Sequence, residues 1–133
     1  MTAEEKFEYW LEIAQYDLET ADAMLVSGRW LYVVFMCQQA IEKLVKGLYT
    51  LFLDDIPPKT HNIMLLVKRF EDKLPEAVPT AYSVLFDTLS KYYLNNRYPD
   101  YMSKLSEQLD MPEAARILNE SKEVFAWLLT MKR

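Results

Sequence analysis

The chain has 133 residues, slightly over half of them apolar or aromatic, a net charge of −5, one histidine, one cysteine and two glycines. That length fits one domain, 1–133, and that composition supplies a proper core, which excludes a disordered chain. Gly28 and Gly47 stand 19 residues apart, too far apart for a Walker loop or a Rossmann fingerprint, and two glycines are too few for an all-β fold with many tight turns.

Thr2-x-x-Glu5 reads as a capping box opening a first helix. Phe7, Leu11, Ala14, Leu18, Ala21 and Leu25 recur at alternating spacings of four and three, one bundle-facing stripe over about five turns. Residues 1–26 carry seven acids against Lys6 alone. Glu4, Glu8 and Glu12 share one face and read as solvated surface, since the Glu-x-x-His pattern of a di-iron bundle is absent. Ser27-Gly28 is the stop, with Gly28 suited to a left-handed cap.

The second helix is expected over about 29–53. It is apolar nearly all round, as for a central helix or one that also meets a second copy. Cys37, within this run, has no partner for an internal disulfide and reads as a buried, inert thiol. Gln38, Gln39, Glu42, Lys43 and Lys46 interrupt the apolar surface, and buried polar groups need partners. Two readings stay open. In one, Gln38 and Glu42 tie this helix to the first or fourth while the lysines reach solvent. In the other, the lysines line a polar pocket and meet an anion.

Asp54-Asp55-Ile56-Pro57-Pro58 ends the helix. Lys59-Thr60-His61-Asn62 follows as a polar turn, with Thr60 or Asn62 as the cap of a short third helix over about 62–72. A connector leads to Pro79 and a fourth helix over 79–94. Residues 95–111 are expected to be irregular, with Asn95-Asn96-Arg97-Tyr98-Pro99-Asp100-Tyr101 a polar, aromatic break. Arg and Tyr there suit phosphate contact and base stacking. Asp110-x-x-Glu113 with Pro112 opens the last helix. The fold predicted is all-α, an up-and-down bundle of four to five helices.

One histidine and one cysteine, separated by a helix break, do not make a zinc site, and no other cofactor is called for. No Gly-x-Ser-x-Gly elbow supports a serine hydrolase. The longest uncharged run, Trp30 to Ile41, falls short of the ~18 residues of a membrane span, and the cytoplasm is the expected compartment.

Three pieces, in order, resemble the HEPN family (higher eukaryotes and prokaryotes nucleotide-binding domain). The best match is Cys37-Gln38-Gln39-Ala40-Ile41-Glu42-Lys43-Leu44-Val45-Lys46-Gly47-Leu48, preceded by Tyr16-Asp17-Leu18, Ala21 and Tyr32. Lys59-Thr60-His61-Asn62 is similar to the family's K-T-H-[DN] turn. Tyr92 or Tyr93 with Arg97-Tyr98-Pro99-Asp100 is similar to its Y…RYPD stretch, which marks the RYPD-type branch. The resemblance spans roughly residues 7–130.

It implies a helical bundle, commonly a homodimer, often encoded beside a small nucleotidyltransferase in toxin–antitoxin pairs. Many members are ribonucleases with an Arg-x(4–6)-His motif. Here no histidine follows Arg97, and His61 lies 36 residues before it. The reading that results is a non-catalytic module binding a nucleotide or RNA phosphate and acting with a nucleotidyltransferase. Lys43, Lys46, Lys59 and Arg97 supply charge, Thr60 and His61 orient the ligand, and Tyr98 or Tyr101 stacks on a base. Gln38, Gln39 and Glu42 hold the pocket. The alternatives are a ribonuclease toxin using His61 and Arg97, and a purely structural partner of a dimer or complex.

Overall fold

The computed structural model describes residues 1–93 and 99–132, and all regular structure among them is helical. Helix α1 (Ala3–Val26) begins at the predicted capping box: Glu5 N–H donates to Thr2 Oγ1 and Thr2 N–H to Glu5 Oε1, both at 3.1 Å. It ends at Gly28, whose φ of +77° is the left-handed value that glycine adopts freely. Helix α2 (Trp30–Leu53) folds back against α1. Its cap, Asp54, also has a positive φ, +47°, a conformation aspartate tolerates better than most residues.

Then come α3 (Ile63–Lys68), a 3-10 turn (Glu71–Lys73), α4 (Thr80–Ser90), α5 (Pro99–Glu107) and α6 (Met111–Met131). Asn62, rather than Thr60, caps α3, its Oδ1 accepting from Leu65 N–H at 3.2 Å. Asp110 caps α6 by accepting from Glu113 N–H at 2.9 Å. Helix α3 stops earlier than expected because Arg69 N–H and Phe70 N–H already bond three residues back, the tightening that closes a helix. Helix α5 occupies a stretch expected to be irregular: Pro99, with φ set for a first turn, starts a helix there instead of a loop.

Helix α2 is the axis of the bundle. Val33, Val34, Ala40, Ile41, Leu44, Val45 and Leu48 are fully buried, covered by α1 on one side and α6 on another. Lys122 of α6 meets Asp22 of α1, and Lys132 meets Glu8, so α6 runs antiparallel to α1 and parallel to α2. Helices α3 and α4 close the remaining side through Ile63, Leu66, Leu85, Phe86 and Leu89.

The α1–α2 contact depends on Gly47. A Cβ there would come within 2.9 Å of Trp10 Cβ and 3.2 Å of Phe7 Cδ1. Trp10 Cβ is fixed to its backbone, so the two helices would have to separate. Gly47→Ala gains roughly 1 kcal/mol of helix propensity but incurs about 1–3 kcal/mol of overpacking. A net loss of stability, seen as a lower urea midpoint with unchanged slope, is the expected result.

Cys37 is buried as predicted, beside Ser121 in the α2–α6 interface. Burial pushes its thiol up to about 12, so it remains protonated at neutral pH and is a poor nucleophile. Ellman's reagent should react with it only after urea is added. Fast labelling of the native protein would show that α2 and α6 part readily.

On the outer face of α1, Tyr9, Ile13 and Tyr16 are exposed. They form a second apolar stripe that no part of the described chain covers. No helix among the described residues is long and apolar enough to cross a membrane.

Candidate functional site

The polar residues of α2 are arranged around one carboxylate. Glu42 is 4% exposed. Its Oε1 accepts from Gln38 Nε2 at 2.6 Å, and its Oε2 accepts from Lys46 Nζ at 3.0 Å. Gln38 Oε1 in turn accepts from Gln39 Nε2 at 2.7 Å. The third partner of the carboxylate comes from outside the helix: His61 Nδ1 lies 3.0 Å from Oε1 and 3.2 Å from Oε2. Spacing explains the intrahelical part, because residues 38, 42 and 46 stand four apart and face the same way.

A buried carboxylate can only accept, so His61 carries its proton on Nδ1 and donates it to Glu42. In the neutral ring Nε2 then keeps a lone pair. The other constraint on this ring is Tyr93, stacked on it at 3.5 Å between centroids and 10° between planes. Carboxylate and tyrosine together fix the orientation of an imidazole whose side chain is 42% exposed.

That imidazole lines a cleft of about 610 Å³, with Asn62, Asp87, Ser90, Lys91, Tyr93 and Tyr101. Asp87, Ser90 and Lys91 stand at i, i+3 and i+4, on one face at the end of α4. Ser90 joins the walls: its hydroxyl donates to Phe86 O at 2.8 Å and accepts from Ile63 N–H at 3.2 Å. Tyr92 is buried beside them. Burial first, and Glu113 second, push its phenol above the usual value, so it stays protonated and anchors this wall. Tyr101 reaches the cleft from α5.

His61, Gln38, Gln39, Glu42 and Lys46 are therefore brought together, and Tyr101 lies across the same cleft. Lys43 is elsewhere, its ammonium 2.5 Å from the buried carboxylate of Asp17 on α1. Thr60 shapes the turn, its Oγ1 accepting from Asn62 N–H at 3.2 Å. Lys59 is exposed and does not line the cleft. Arg97 and Tyr98 lie outside the described residues. The expectation that Gln38 and Glu42 tie α2 to the first or fourth helix, with the lysines in solvent, needs correction. Glu42 ties α2 to the 59–62 turn, and Lys46 and Lys43 are each held by a carboxylate.

Asp87, Ser90 and Lys91 were not singled out from the sequence. Their spacing was readable, but polar residues on a helix end resemble any solvated face. Asp17, one of the seven acids of 1–26, is buried. Its signal was register, since it falls between Ala14 and Ala21 on the bundle-facing side.

A fixed imidazole beside a cation-bearing cleft can bind a phosphate or a ribose hydroxyl, accepting a hydrogen bond when neutral and donating one when protonated. Among the described residues no three His, Cys, Asp or Glu side chains converge as metal ligands do.

The HEPN domain model matches residues 7–132. The chain belongs to the HEPN family. Among solved structures it is similar to a protein from Thermus thermophilus, the crystal structure of TT1696, with 27% identity and a TM-score of 0.75, over 95% of this chain and 98% of that one. No curated protein matches. The HEPN assignment makes this a nucleotide- or RNA-related module, and its helical bundle is the one described above.

Proposed function

We propose that this HEPN domain binds the phosphate and sugar of a nucleotide or RNA in the cleft at His61, and that it does so without catalysis of its own. The observation that carries this reading is the Glu42–His61 contact. A charge network buried in a helix core is costly to maintain, and here it fixes one exposed side chain in a cleft. Lys91 supplies charge, Asn62 and Ser90 offer polar contacts, and the face of a tyrosine, Tyr101 or Tyr98, stacks on the base. Arg97 adds a bidentate phosphate contact. Lys43 and Lys46 act inward, holding the carboxylates that set the frame, and Lys59 adds to the field at the rim.

The module works as a homodimer beside a partner nucleotidyltransferase, as in two-component toxin–antitoxin pairs of this family. The uncovered stripe of Tyr9, Ile13 and Tyr16 supports a protein contact on α1. Light scattering over a range of concentrations tests the dimer, and co-purification of the two co-expressed proteins tests the partner.

Isothermal titration with nucleoside mono-, di- and triphosphates tests the binding itself. His61→Ala should weaken the affinity about tenfold or more, equivalent to roughly 1.4 kcal/mol, the loss of a charge-assisted hydrogen bond. Equal affinity in His61→Ala would overturn the assignment of the site.

The same dyad favours a second reading, a ribonuclease. Nδ1 on a carboxylate leaves Nε2 free to take a proton, as a general base requires. RNA cleavage by the purified protein that disappears in His61→Ala would establish it. Cleavage that persists in the variant would rule it out.

A further inference from the structure

Helix α1 has two apolar faces. Phe7, Ala14 and Ala21 face the core. Tyr9, Ile13 and Tyr16 stand at i, i+4 and i+7 on the opposite side, and the two tyrosines are 60% and 71% exposed. A stripe at that spacing is the seam along which a second helix packs. Tyrosine is also among the residues enriched where proteins meet. At its N-terminal end the stripe opens into a pocket of about 320 Å³, where Trp10, Ile56 and Pro57 join Tyr9. Such a pocket takes one bulky apolar anchor of a partner.

The charges beside the stripe select the partner. Glu5, Glu12 and Glu19 are exposed. They stand one heptad apart, so they form a row along one edge of the stripe. From Glu5 to Glu19 that row runs about 21 Å. None of the three enters an ion pair among the described residues. The acids of α1 that reach its neighbours are matched: Asp17 by Lys43, Asp22 by Lys122 and Glu8 by Lys132. Three unmatched carboxylates therefore border an uncovered apolar seam.

A second copy of α1 does not complement this surface, because residues 1–26 hold Lys6 as their single base. Laid antiparallel across a two-fold axis, the acidic row would face the same row of the other copy. Laid parallel, it would meet Lys6 as the only cation. Like charges set against each other oppose such a contact by several kcal/mol.

Resting on the reading of this stripe as a protein contact, we infer that its occupant is a basic amphipathic helix of a different protein. One apolar anchor of that helix fills the pocket at Tyr9 and Trp10. Others lie over Ile13 and Tyr16, and a row of lysines or arginines meets Glu5, Glu12 and Glu19.

Fluorescence anisotropy with two labelled synthetic helices tests this. Both carry leucine anchors at heptad spacing, flanked by lysine in one and by glutamate in the other. The lysine helix should bind about tenfold more tightly at about 0.1 M salt, and its advantage should shrink at about 1 M, where the screening length falls to about 3 Å. Tyr9→Ala with Tyr16→Ala, both at exposed positions, should weaken the lysine helix about tenfold. Glu12→Gln with Glu19→Gln should remove most of its advantage over the glutamate helix. A lysine helix that binds both variants as tightly as the unaltered protein overturns the inference. Equal binding of the two helices, lost in the tyrosine variant, overturns the basic partner and leaves the protein contact standing. Self-association in sedimentation that the tyrosine change abolishes places a second copy on the stripe and also overturns the inference. Failure of both helices to bind, with no self-association through the stripe, overturns the protein contact itself.

Discussion

Glu42→Ala should cost about 3–5 kcal/mol of folding stability, the range for breaking a buried ion pair by removing one partner. The substitution leaves the Lys46 ammonium without its carboxylate and the fully buried Gln38 amide without its acceptor. It also frees the His61 ring from its only described ion-pair partner. Against the 5–15 kcal/mol typical of a domain, the loss is large enough to move the urea midpoint by a wide margin. Glu42→Gln keeps an acceptor and removes the charge, and should cost less, about 1–3 kcal/mol. Removing both charges with Glu42→Leu and Lys46→Met should recover much of the loss, because apolar groups of similar size need no partner. The double variant should nonetheless bind nucleotide poorly, since the stack on Tyr93 leaves His61 without the hydrogen bond that fixes its Nδ1 side. A double variant that is both stable and fully able to bind would separate the buried network from the site.

Phe86→Ala should cost a similar 3–5 kcal/mol, the usual penalty for emptying a fully buried aromatic position. Phe86 is 0% exposed, and with Leu85 and Leu89 it is what α4 buries. A helix of 11 residues has little stability of its own and depends on that packing. The consequence reaches the cleft, because Asp87, Ser90 and Lys91 are carried on α4 and Tyr93 follows it. Amide exchange should therefore accelerate more over Thr80–Ser90 than over α2, whose burial does not depend on Phe86 alone. Ligand affinity should fall along with α4 protection. Uniform loss of protection across all helices would show that α4 is no separate unit and that the cleft wall is as firm as the core.

How much of this was readable in the sequence varied with the kind of signal. The capping box at Thr2, the glycine stop at Gly28, the proline break after α2 and the Asp110 cap are local chemistry, and each stands where its residues predicted. The central position of α2 followed from its having almost no polar face. The early end of α3 was not readable, because its last turn is marginal, and the presence of α5 was masked by the polar, aromatic run before it although Pro99 suits a first turn. At the site, residue types and spacing showed that Gln38, Glu42 and Lys46 share a face and must be satisfied. They could not show that the satisfying group is His61, 19 residues away from Glu42. The i, i+4 spacing of Glu42 and Lys46 does favour the pair that forms between them, but nothing local shows that Lys43 turns to Asp17. The direction in which a long side chain reaches is a property of packing, and residues three apart on α2 ended on different neighbours.

The most direct test of the His61 cleft as a nucleotide site uses the fact that the chain has one histidine. Its imidazole signals in a proton–nitrogen correlation spectrum can belong to no other residue. In the free protein the neutral ring should show its proton on Nδ1, as the bond to Glu42 requires. On titration with AMP or short RNA, the Nε2 and ring-proton signals should shift progressively and saturate with the binding curve. Ligand that binds the protein while every His61 signal stays in place would contradict the account.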